Sequence, residues 1–294
     1  MFLLPSSVEP FAVEGRHFFV KRDDLIHPDF SGNKYRKLQA FLHTENDAID
    51  TVVSYGGVQS NAMLSIAAMC RLKGWSFRYI AKTVPSHLKA TPAGNYKRAL
   101  ELGMQLDEVA PSAYDDAVAS ARDDTGSTRT LFIPQGGADS AAETGIRRLA
   151  QEIEAWRKAR DIGTLYVATP SGTGTTAAFL AASLPHCNIL TVPAVGDAAY
   201  LRRQISALMP VPGNFTVLDT KKRYRFGTPH PDLYARYLAL KQAGIVFDLL
   251  YAPVMWTALL EHDIKETVLY VHSGGVLGNE TMLARYERAG CAAP

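Results

Sequence analysis

The chain has 294 residues, 47% of them apolar and 20% charged, which is enough for one large or two modest domains with a substantial core. A formal net charge of +2, and no apolar run near the roughly 20 residues that span a bilayer, give no reason to expect a nucleic-acid or membrane partner. Three widely separated cysteines and no HxxxH or CxxC pair favour a reducing compartment, the cytoplasm, and indicate neither a disulfide framework nor a metal site.

Short apolar strands alternate with amphipathic helices along the chain. Segments rich in β-branched residues and bounded by Gly, Pro or Ser predict strands at 50–57, 77–84, 164–169, 187–195 and 267–273. Apolar periodicity that ends near a glycine or a turn predicts helices at 61–74, 94–103 and 143–159. This alternation is typical of a parallel α/β sheet. A stretch rich in small residues at 134–143 is a candidate linker, and a second break is expected near residue 45, in TENDA.

Lys34 lies between a glycine-bearing turn and an amphipathic run, in DFSGNKYRKLQAF at 29–41. A lysine at a helix start is ordinarily a solvated surface cation. The alternative is a reactive amine, because burial and the neighbouring cations Arg36 and Lys37 would lower its pKa and make it nucleophilic. The other turns of the sequence bear on this choice.

The turn SYGGVQSNAMLS at 54–65 joins a predicted strand to a predicted helix. Ligands of parallel α/β folds bind at the carboxyl ends of strands, so Gly57, Gln59, Ser60 and Asn61 are candidate site residues. Ser60 or Asn61 could equally be the N-cap of its helix.

The turn ATPSGTGTTAAFLAASL at 168–184 opens an Ala-rich helix with Gly172, Thr173, Gly174, Thr175 and Thr176. Glycines allow the backbone to approach an anion, and free N–H groups at a helix start bind it. No Walker lysine and no GxGxxG fingerprint is present, so the pattern predicts a phosphate cup of another kind. The alternative is a small-residue turn that packs a helix tightly on the sheet.

A third turn, YVHSGGVLGN at 270–279, places Ser273 at the end of a strand. Its hydroxyl could bond a ring nitrogen or cap its own turn. An amine, an anion site, a hydroxyl for a ring nitrogen and an amide for a phenolic oxygen are together what pyridoxal phosphate requires.

The segments KRDDL, GNKYRKL, GGVQSN, IPQGG, SGTGTTAA and HSGG follow in this order over nearly the whole chain. Together they resemble the pyridoxal-phosphate enzymes of the tryptophan-synthase-β-like fold (fold type II). Within that fold they most resemble the branch with 1-aminocyclopropane-1-carboxylate deaminase and D-cysteine desulfhydrase. The resemblance implies an α/β fold of two open, mostly parallel twisted sheets with flanking helices. It implies a larger cofactor-binding domain of residues 1–45 and 145–294, a smaller domain of residues 46–144 inserted in it, and a homodimer.

The resemblance also implies roles for the candidate residues. Lys34 would form the Schiff base with pyridoxal 5'-phosphate and act in catalysis, and Asn61 would bond the phenolic oxygen. The phosphate would be held by Gly172, Thr173, Gly174, Thr175 and Thr176, and Ser273 would face the pyridine nitrogen. Ser60 would contact the substrate carboxylate or assist proton transfer, with Gln59 and Gly57 beside it.

Departures from the family pattern bear on the reaction. Phe226 stands in the family's Tyr-Gly-x-Pro stretch, and aligning Ala252-Pro253-Val254-Met255 with Asp-Pro-Val-Tyr puts Met255 at the second tyrosine. The deaminase glutamate after that tyrosine is then Trp256, which disfavours cyclopropane ring opening. Tyr224 or Tyr251 could supply a replacement hydroxyl.

The leading hypothesis is therefore a lyase or deaminase of a small amino acid, closer to D-cysteine desulfhydrase than to the true deaminase. Exchange of Lys34 for the substrate amine would precede elimination to an α-keto acid and ammonia. A racemase or β-replacement enzyme would use the same cofactor linkage and differ in proton-relay groups. A non-catalytic binder of the cofactor or of an amino acid is the alternative from another class.

Overall fold

The computed structural model describes residues 2–30, 32–45, 48–124 and 129–291 and contains two β-sheets with helices on their faces. The strands are β1 (Val8–Val13), β2 (Arg16–Lys21), β3 (Thr51–Tyr55), β4 (Ser76–Lys82), β5 (Met104–Val109), β6 (Thr130–Phe132), β7 (Leu165–Ala168), β8 (Asn188–Thr191), β9 (Phe215–Val217) and β10 (Thr267–Val271). The larger sheet has the order β1-β2-β10-β7-β8-β9 and the smaller sheet has the order β5-β4-β3-β6.

Both sheets are parallel except for the hairpin of β1 and β2. The predicted fold class, two mostly parallel sheets with flanking helices, is thereby confirmed. The hairpin escaped the sequence analysis because Pro10 and the charged residues around it obscure the apolar alternation. A proline is tolerated there since β1 is an edge strand.

The helices are α1 (Gly32–Leu42), α2 (Asn61–Lys73), α3 (Ser86–Ala90), α4 (Gly94–Glu101), α5 (Tyr114–Asp123), α6 (Ala142–Ala159), α7 (Thr175–Ser183), α8 (Ala198–Ser206), α9 (Pro231–Gln242), α10 (Ala252–Glu261) and α11 (Asn279–Arg288). All five predicted strands and all three predicted helices are present, with ends that differ by a few residues. The candidate linker 134–143 contains a short 3-10 turn, Gln135–Gly137, and the start of α6.

The larger sheet is buried on both faces, as its apolar strands require. In β10, Val268 and Tyr270 join one core beneath α9 and α10, while Leu269 and Val271 join the other beneath α6, α7 and α8. The smaller sheet packs against α2 and α4 on one face and α5 on the other. The site-bearing turns therefore follow strands β3, β7 and β10, most of whose residues are buried.

The strands of the two sheets come from separate parts of the chain. The larger sheet uses residues 8–21 and 165–271, and the smaller uses residues 51–132. The domain boundaries at 45/46 and 144/145 themselves stay a prediction. The break expected in TENDA includes residues 46 and 47, which lie outside the described residues.

Candidate active site

The first turn of α1 lies directly against the turn that follows β10. The backbone N–H of Asn33 donates to the Ser273 carbonyl oxygen at 3.3 Å. A Cβ on Gly32 would lie 1.9 Å from that oxygen, and Gly32 has a φ of 59°, so only glycine fits this approach. The contact joins the residue before Lys34 to Ser273, so two candidate segments that are far apart in sequence meet here.

Lys34 is half-buried, and its Nζ lies 3.3 Å from the Asn33 side-chain oxygen. Burial lowers the pKa of Lys34 to about 8, and the negative charge of Asp248 opposes part of that effect. This burial argues against the surface-cation alternative for Lys34. With a pKa of about 8, roughly a tenth of the amine is neutral at pH 7, which is the form that a nucleophile or base requires.

A buried ion network holds α1 in place. Arg36 is fully buried, and its guanidinium donates to both carboxylate oxygens of Asp23 (2.9 and 2.8 Å) and of Glu152 (2.7 and 2.9 Å). Lys21 Nζ contacts Glu152 at 2.6 Å. The expectation that Arg36 would help to lower the Lys34 pKa is wrong, because its charge is compensated by two carboxylates. Arg36 instead fixes the helix that carries Lys34.

The turn between β7 and α7 forms a cup of small and hydroxyl-bearing residues. The Thr173 and Thr175 hydroxyls lie 2.9 Å apart, and the buried Thr176 hydroxyl has no hydrogen-bond partner among the described residues. Gly174 has a φ of 76°, and a Cβ there would lie 2.6 Å from Ile205. Tight packing therefore explains Gly174, whereas the unpaired hydroxyl and the free N–H groups of the nine-residue α7 leave donors for an anion.

Lys37 completes this cup, although the sequence analysis treated it only as a neighbour of Lys34. Its Nζ donates to the Gly136 carbonyl oxygen at 3.1 Å and lies 3.3 Å from the Thr173 hydroxyl. Burial, together with the charge of Lys34, lowers the pKa of Lys37 well below its usual value. An anion bound in the cup would be a counter-ion for the protonated form of this buried amine. In the sequence, the sign of this role was that Lys37 follows Lys34 by three residues, which places both on the same face of a helix.

The turn between β3 and α2 is stabilised by Tyr79 of β4 and by the capping of α2. Ser60 is the N-cap of α2, accepting from the N–H groups of Ala62 (3.2 Å) and Met63 (3.4 Å), so the capping alternative is realised. The Tyr79 hydroxyl donates to the Gly57 carbonyl oxygen at 3.2 Å. Gln59 Nε2 donates to the Ala93 carbonyl oxygen at 3.1 Å. The Gln59 amide nitrogen is therefore engaged in packing α4 against this turn.

Asn61 lies between its own turn and the turn after β10. A Cβ on Gly275 would lie 2.2 Å from Asn61 Nδ2, so the amide packs directly on that glycine. Ser273 is half-buried beside it, and the following Gly274 N–H donates to His272 Nδ1 at 3.1 Å. The structure thus brings Lys34, Asn61 and Ser273 to one place through Gly32 and Gly275.

The structure corrects the alignment of the family's second tyrosine. Met255 and Trp256 are completely buried in the core of the larger sheet, where Trp256 stacks on Tyr270 at 4.7 Å, so neither faces the cup. Tyr251 faces the cup, since a Cβ on Gly172 would lie 3.5 Å from the Tyr251 ring.

Asp248 fixes Tyr251 in that position by accepting its backbone N–H at 2.6 Å. Asp248-Leu249-Leu250-Tyr251 shares the first and last residues of the family stretch Asp-Pro-Val-Tyr, and on this alignment the residue after the tyrosine is Ala252. Burial raises the pKa of Tyr251, and the charge of Asp248 adds to this.

The other two aromatic candidates have different positions. Phe226 packs on Tyr251 with ring centroids 5.3 Å apart and is 40% exposed, so it lies at the rim of the site without a hydroxyl. Tyr224 instead bonds Asp232 at 2.8 Å on the surface. Of the two proposed replacements, only Tyr251 reaches the cup.

A family model described as pyridoxal-phosphate dependent enzyme matches residues 7–218. The chain belongs to this family of pyridoxal-phosphate-dependent enzymes. The match spans β1 to β9 and includes Lys34, the turn at Gly57–Asn61 and the cup at Gly172–Thr176.

Individual relatives of this pyridoxal-phosphate-dependent enzyme are distant. A Thermotoga maritima protein provisionally named 1-aminocyclopropane-1-carboxylate deaminase is 28% identical over 291 residues, covering 90% of each chain. D-cysteine desulfhydrase of Yersinia pestis is 26% identical over 289 residues, covering 89% of this chain and 87% of the relative.

Solved structures share the fold. A crystal structure of a homologue of 1-aminocyclopropane-1-carboxylate deaminase has a TM-score of 0.75 at 18% identity, covering 97% of this chain and 94% of that one. The O-ureido-L-serine synthase structure has a TM-score of 0.68 at 17% identity, with coverage of 99% and 92%.

The residues of the site fit pyridoxal phosphate. A half-buried amine of lowered pKa suits its aldehyde, and the cup offers an unpaired Thr176 hydroxyl, free N–H groups and the Lys37 amine to its phosphate. Within the described ranges, no three or more His, Cys, Asp or Glu side chains are arranged to hold a metal ion. In the same part of the chain, no helix has both the length and the apolar character needed to cross a bilayer.

Proposed function

We propose that this enzyme is a pyridoxal-phosphate-dependent lyase or deaminase of a small amino acid, acting in the manner of a D-cysteine desulfhydrase. The observation that carries the proposal is Lys34, a half-buried amine with a pKa of about 8, one helical turn before Lys37, which contacts the donor-rich cup. The similarity to proteins named for this chemistry over about nine-tenths of the chain supports it.

The cofactor would be held through groups that the fold brings together. Lys34 would bind its aldehyde, and Asn61 and Ser273 would face its phenolic oxygen and ring nitrogen. The loop 172–176 and Lys37 would hold its phosphate. When bound, pyridoxal phosphate supplies a ring that withdraws electrons from the carbon atoms of an attached amino acid.

Lys34 would move the proton that starts the reaction. Its Nζ is neutral in part of the molecules at pH 7 to 8, so it can accept the α-proton of the substrate and later return it. Asp248 lies close enough for its charge to stabilise the protonated amine. The proton would thus stay on Nζ during the step in which the β-substituent leaves.

The turn at Gly57–Asn61 would bind the substrate carboxylate. It lies at the N-terminus of the 13-residue α2, where the helix dipole favours an anion and the N–H groups of Ala62 and Met63 are bonded to the Ser60 side chain. Ser60 and Gln59 supply side chains there, and Tyr251 offers a hydroxyl on the side of Gly172. Because burial raises the pKa of that phenol, it would act as a hydrogen-bond donor.

The residues expected near the ring nitrogen favour elimination over cyclopropane opening. With Tyr251 as the family tyrosine, Ala252 would stand at the position of the deaminase glutamate, and Ser273 would offer the ring nitrogen only a neutral hydroxyl. A weaker electron sink suffices when a thiol leaves from the β-carbon. In that reaction D-cysteine and water would give pyruvate, ammonia and hydrogen sulfide.

The first experiment is an absorbance spectrum of the purified protein before and after borohydride, followed by peptide mapping. A visible band trapped covalently on Lys34 supports the proposal, and a protein that takes up no added pyridoxal phosphate overturns it. Holoenzyme is then assayed with D-cysteine, L-cysteine and 1-aminocyclopropane-1-carboxylate for keto acid and sulfide. Racemisation or β-replacement products would select the second hypothesis, and bound cofactor without turnover would select the non-catalytic binder.

The homodimer, the cytoplasmic location and the two-domain division belong to the same proposal. Sedimentation equilibrium tests the homodimer, and cell fractionation tests the location. Limited proteolysis tests the division, because cleavage should cluster near 45/46 and 144/145.

A further inference from the structure

Asn95 is a fully buried amide at the start of α4 and is not among the residues proposed to contact the cofactor or the substrate. Its Nδ2 donates to the Gln59 carbonyl oxygen at 2.9 Å and to Asn61 Oδ1 at 2.7 Å. A buried amide with two short bonds to neighbouring site residues is well placed to fix their orientation.

Hydrogen-bond chemistry fixes which way both amides point. A backbone carbonyl can only accept, so the Asn95 atom next to Gln59 must be the NH2 group. Its second proton then points at Asn61, which must present its carbonyl oxygen in return. The Asn61 NH2 group is left on the opposite side, against Gly275 and the turn that carries Ser273.

The start of α4 is itself held firmly in place. The Gly94 N–H donates to Glu280 Oε2 of α11 at 3.1 Å, and Gln59 Nε2 donates to the Ala93 carbonyl oxygen at 3.1 Å. A Cβ on Gly94, whose φ is 56°, would lie 2.9 Å from Thr281. Asn95 is therefore presented from a backbone that contacts both the turn before α2 and α11.

We infer that Asn95 is a positioning residue that holds the Asn61 NH2 group toward the phenolic oxygen of pyridoxal phosphate. A donor at that oxygen stabilises its anionic form, whereas the carbonyl end of the amide would repel it. The inference rests on the proposed function, because it takes Asn61 as the partner of that oxygen. If Asn95 only caps the Gln59 carbonyl, removing it would lower stability and leave the cofactor's electronic state unchanged.

The test uses the holoenzyme of two variants. Asn95→Asp replaces the donor with an acceptor, so the Asn61 amide should reverse and turn its oxygen toward the phenolic oxygen. Asn95→Leu removes the donor at similar volume and leaves Asn61 free to take either orientation. We expect the visible band of the bound cofactor to fall relative to the near-ultraviolet band. We also expect cofactor affinity to fall about tenfold, with Asp the more severe.

Asn214→Asp is the matched control. Asn214 is a half-buried amide that also donates to backbone carbonyls, those of Ala181, Leu184 and Cys187, away from the candidate site. It should lower the melting temperature without changing the ratio of the two bands. Adding Asn95→Asp to Asn61→Ala should change the spectrum no further, because the residue through which Asn95 acts is already absent.

An unchanged band ratio in both folded Asn95 variants would overturn the inference, as would equal spectral effects of Asn95→Asp with and without Asn61. Failure of the proposed function would look different. In that case the wild-type protein itself would show no band trapped on Lys34.

Discussion

Lys37 Nζ lies 3.3 Å from the Thr173 hydroxyl, which joins α1 to the cup at the start of α7. The same helix carries Lys34 one turn earlier, so one rigid element supplies both the reactive amine and a cation for an anion. Burial and the charge of Lys34 lower the pKa of Lys37, and a bound phosphate would favour its protonated form. We expect the apoprotein to take up protons when pyridoxal phosphate binds.

Replacing Lys37 should therefore weaken the cofactor complex. Lys37→Gln should reduce the affinity for pyridoxal phosphate at least tenfold, while pyridoxal, which lacks the phosphate, should lose much less. Equilibrium dialysis with both compounds measures the difference. Lys89→Gln, on an exposed lysine paired with Glu108, is the control and should change neither affinity. Equal losses for both compounds would contradict a role in phosphate binding.

The stability of the apoprotein should rise between about pH 8 and 10.5 because of Lys34. Its pKa is about 8 when folded and 10.5 when unfolded, so in this window only the unfolded chain keeps the proton. Stability then increases with pH by at most about 1.4 kcal/mol per unit for this group. Urea unfolding of wild type and Lys34→Met across the window isolates the effect. Parallel pH dependences in the two proteins would contradict the lowered pKa.

Local patterns predicted the turns of the site, because glycines, hydroxyls and strand ends are visible in short stretches of sequence. They did not predict Lys37, because its contact with Thr173 depends on how α1 packs against residues 134–138 and 172–176. They also misplaced the second tyrosine. Asp248-Leu249-Leu250-Tyr251 and Ala252-Pro253-Val254-Met255 both resemble the same four-residue pattern, and only packing shows that Tyr251 faces the cup while Met255 is in the core.

Tyr251→Phe should test the corrected alignment. The phenyl ring keeps the contact with Gly172, so cofactor binding and its spectrum should stay as in wild type. Turnover of the best substrate should fall about 100-fold, the lower end of what a positioned proton donor contributes. Tyr224→Phe is the matched control, because that hydroxyl bonds Asp232 on the surface, and it should keep normal turnover. The reverse ranking of the two variants would contradict the assignment.

The buried ion network of Arg36, Lys21 and Glu152 should contribute more to the free energy of unfolding than the surface ion pairs do. Glu152→Gln leaves Arg36 and Lys21 with one carboxylate fewer in a buried site, and we expect a loss of about 3 kcal/mol in the free energy of unfolding. Glu108→Gln breaks the exposed pair with Lys89 and should cost less than about 1 kcal/mol. Urea unfolding measures both. If Glu152→Gln lowered the free energy of unfolding no more than the control does, the buried network would stabilise the fold no more than a surface ion pair.

Gly32→Ala should damage the site through the backbone alone. The new Cβ would meet the Ser273 carbonyl oxygen at 1.9 Å, and alanine resists the positive φ, so α1 must move away from the turn after β10. We expect a loss of at least about 3 kcal/mol of stability and weaker trapping of the cofactor by borohydride. Gly213→Ala is the control, since nothing lies within 4 Å of its added Cβ, and its effect should stay within about 1 kcal/mol. If Gly32→Ala retained full stability and full trapping, the contact between α1 and Ser273 would not be what positions Lys34.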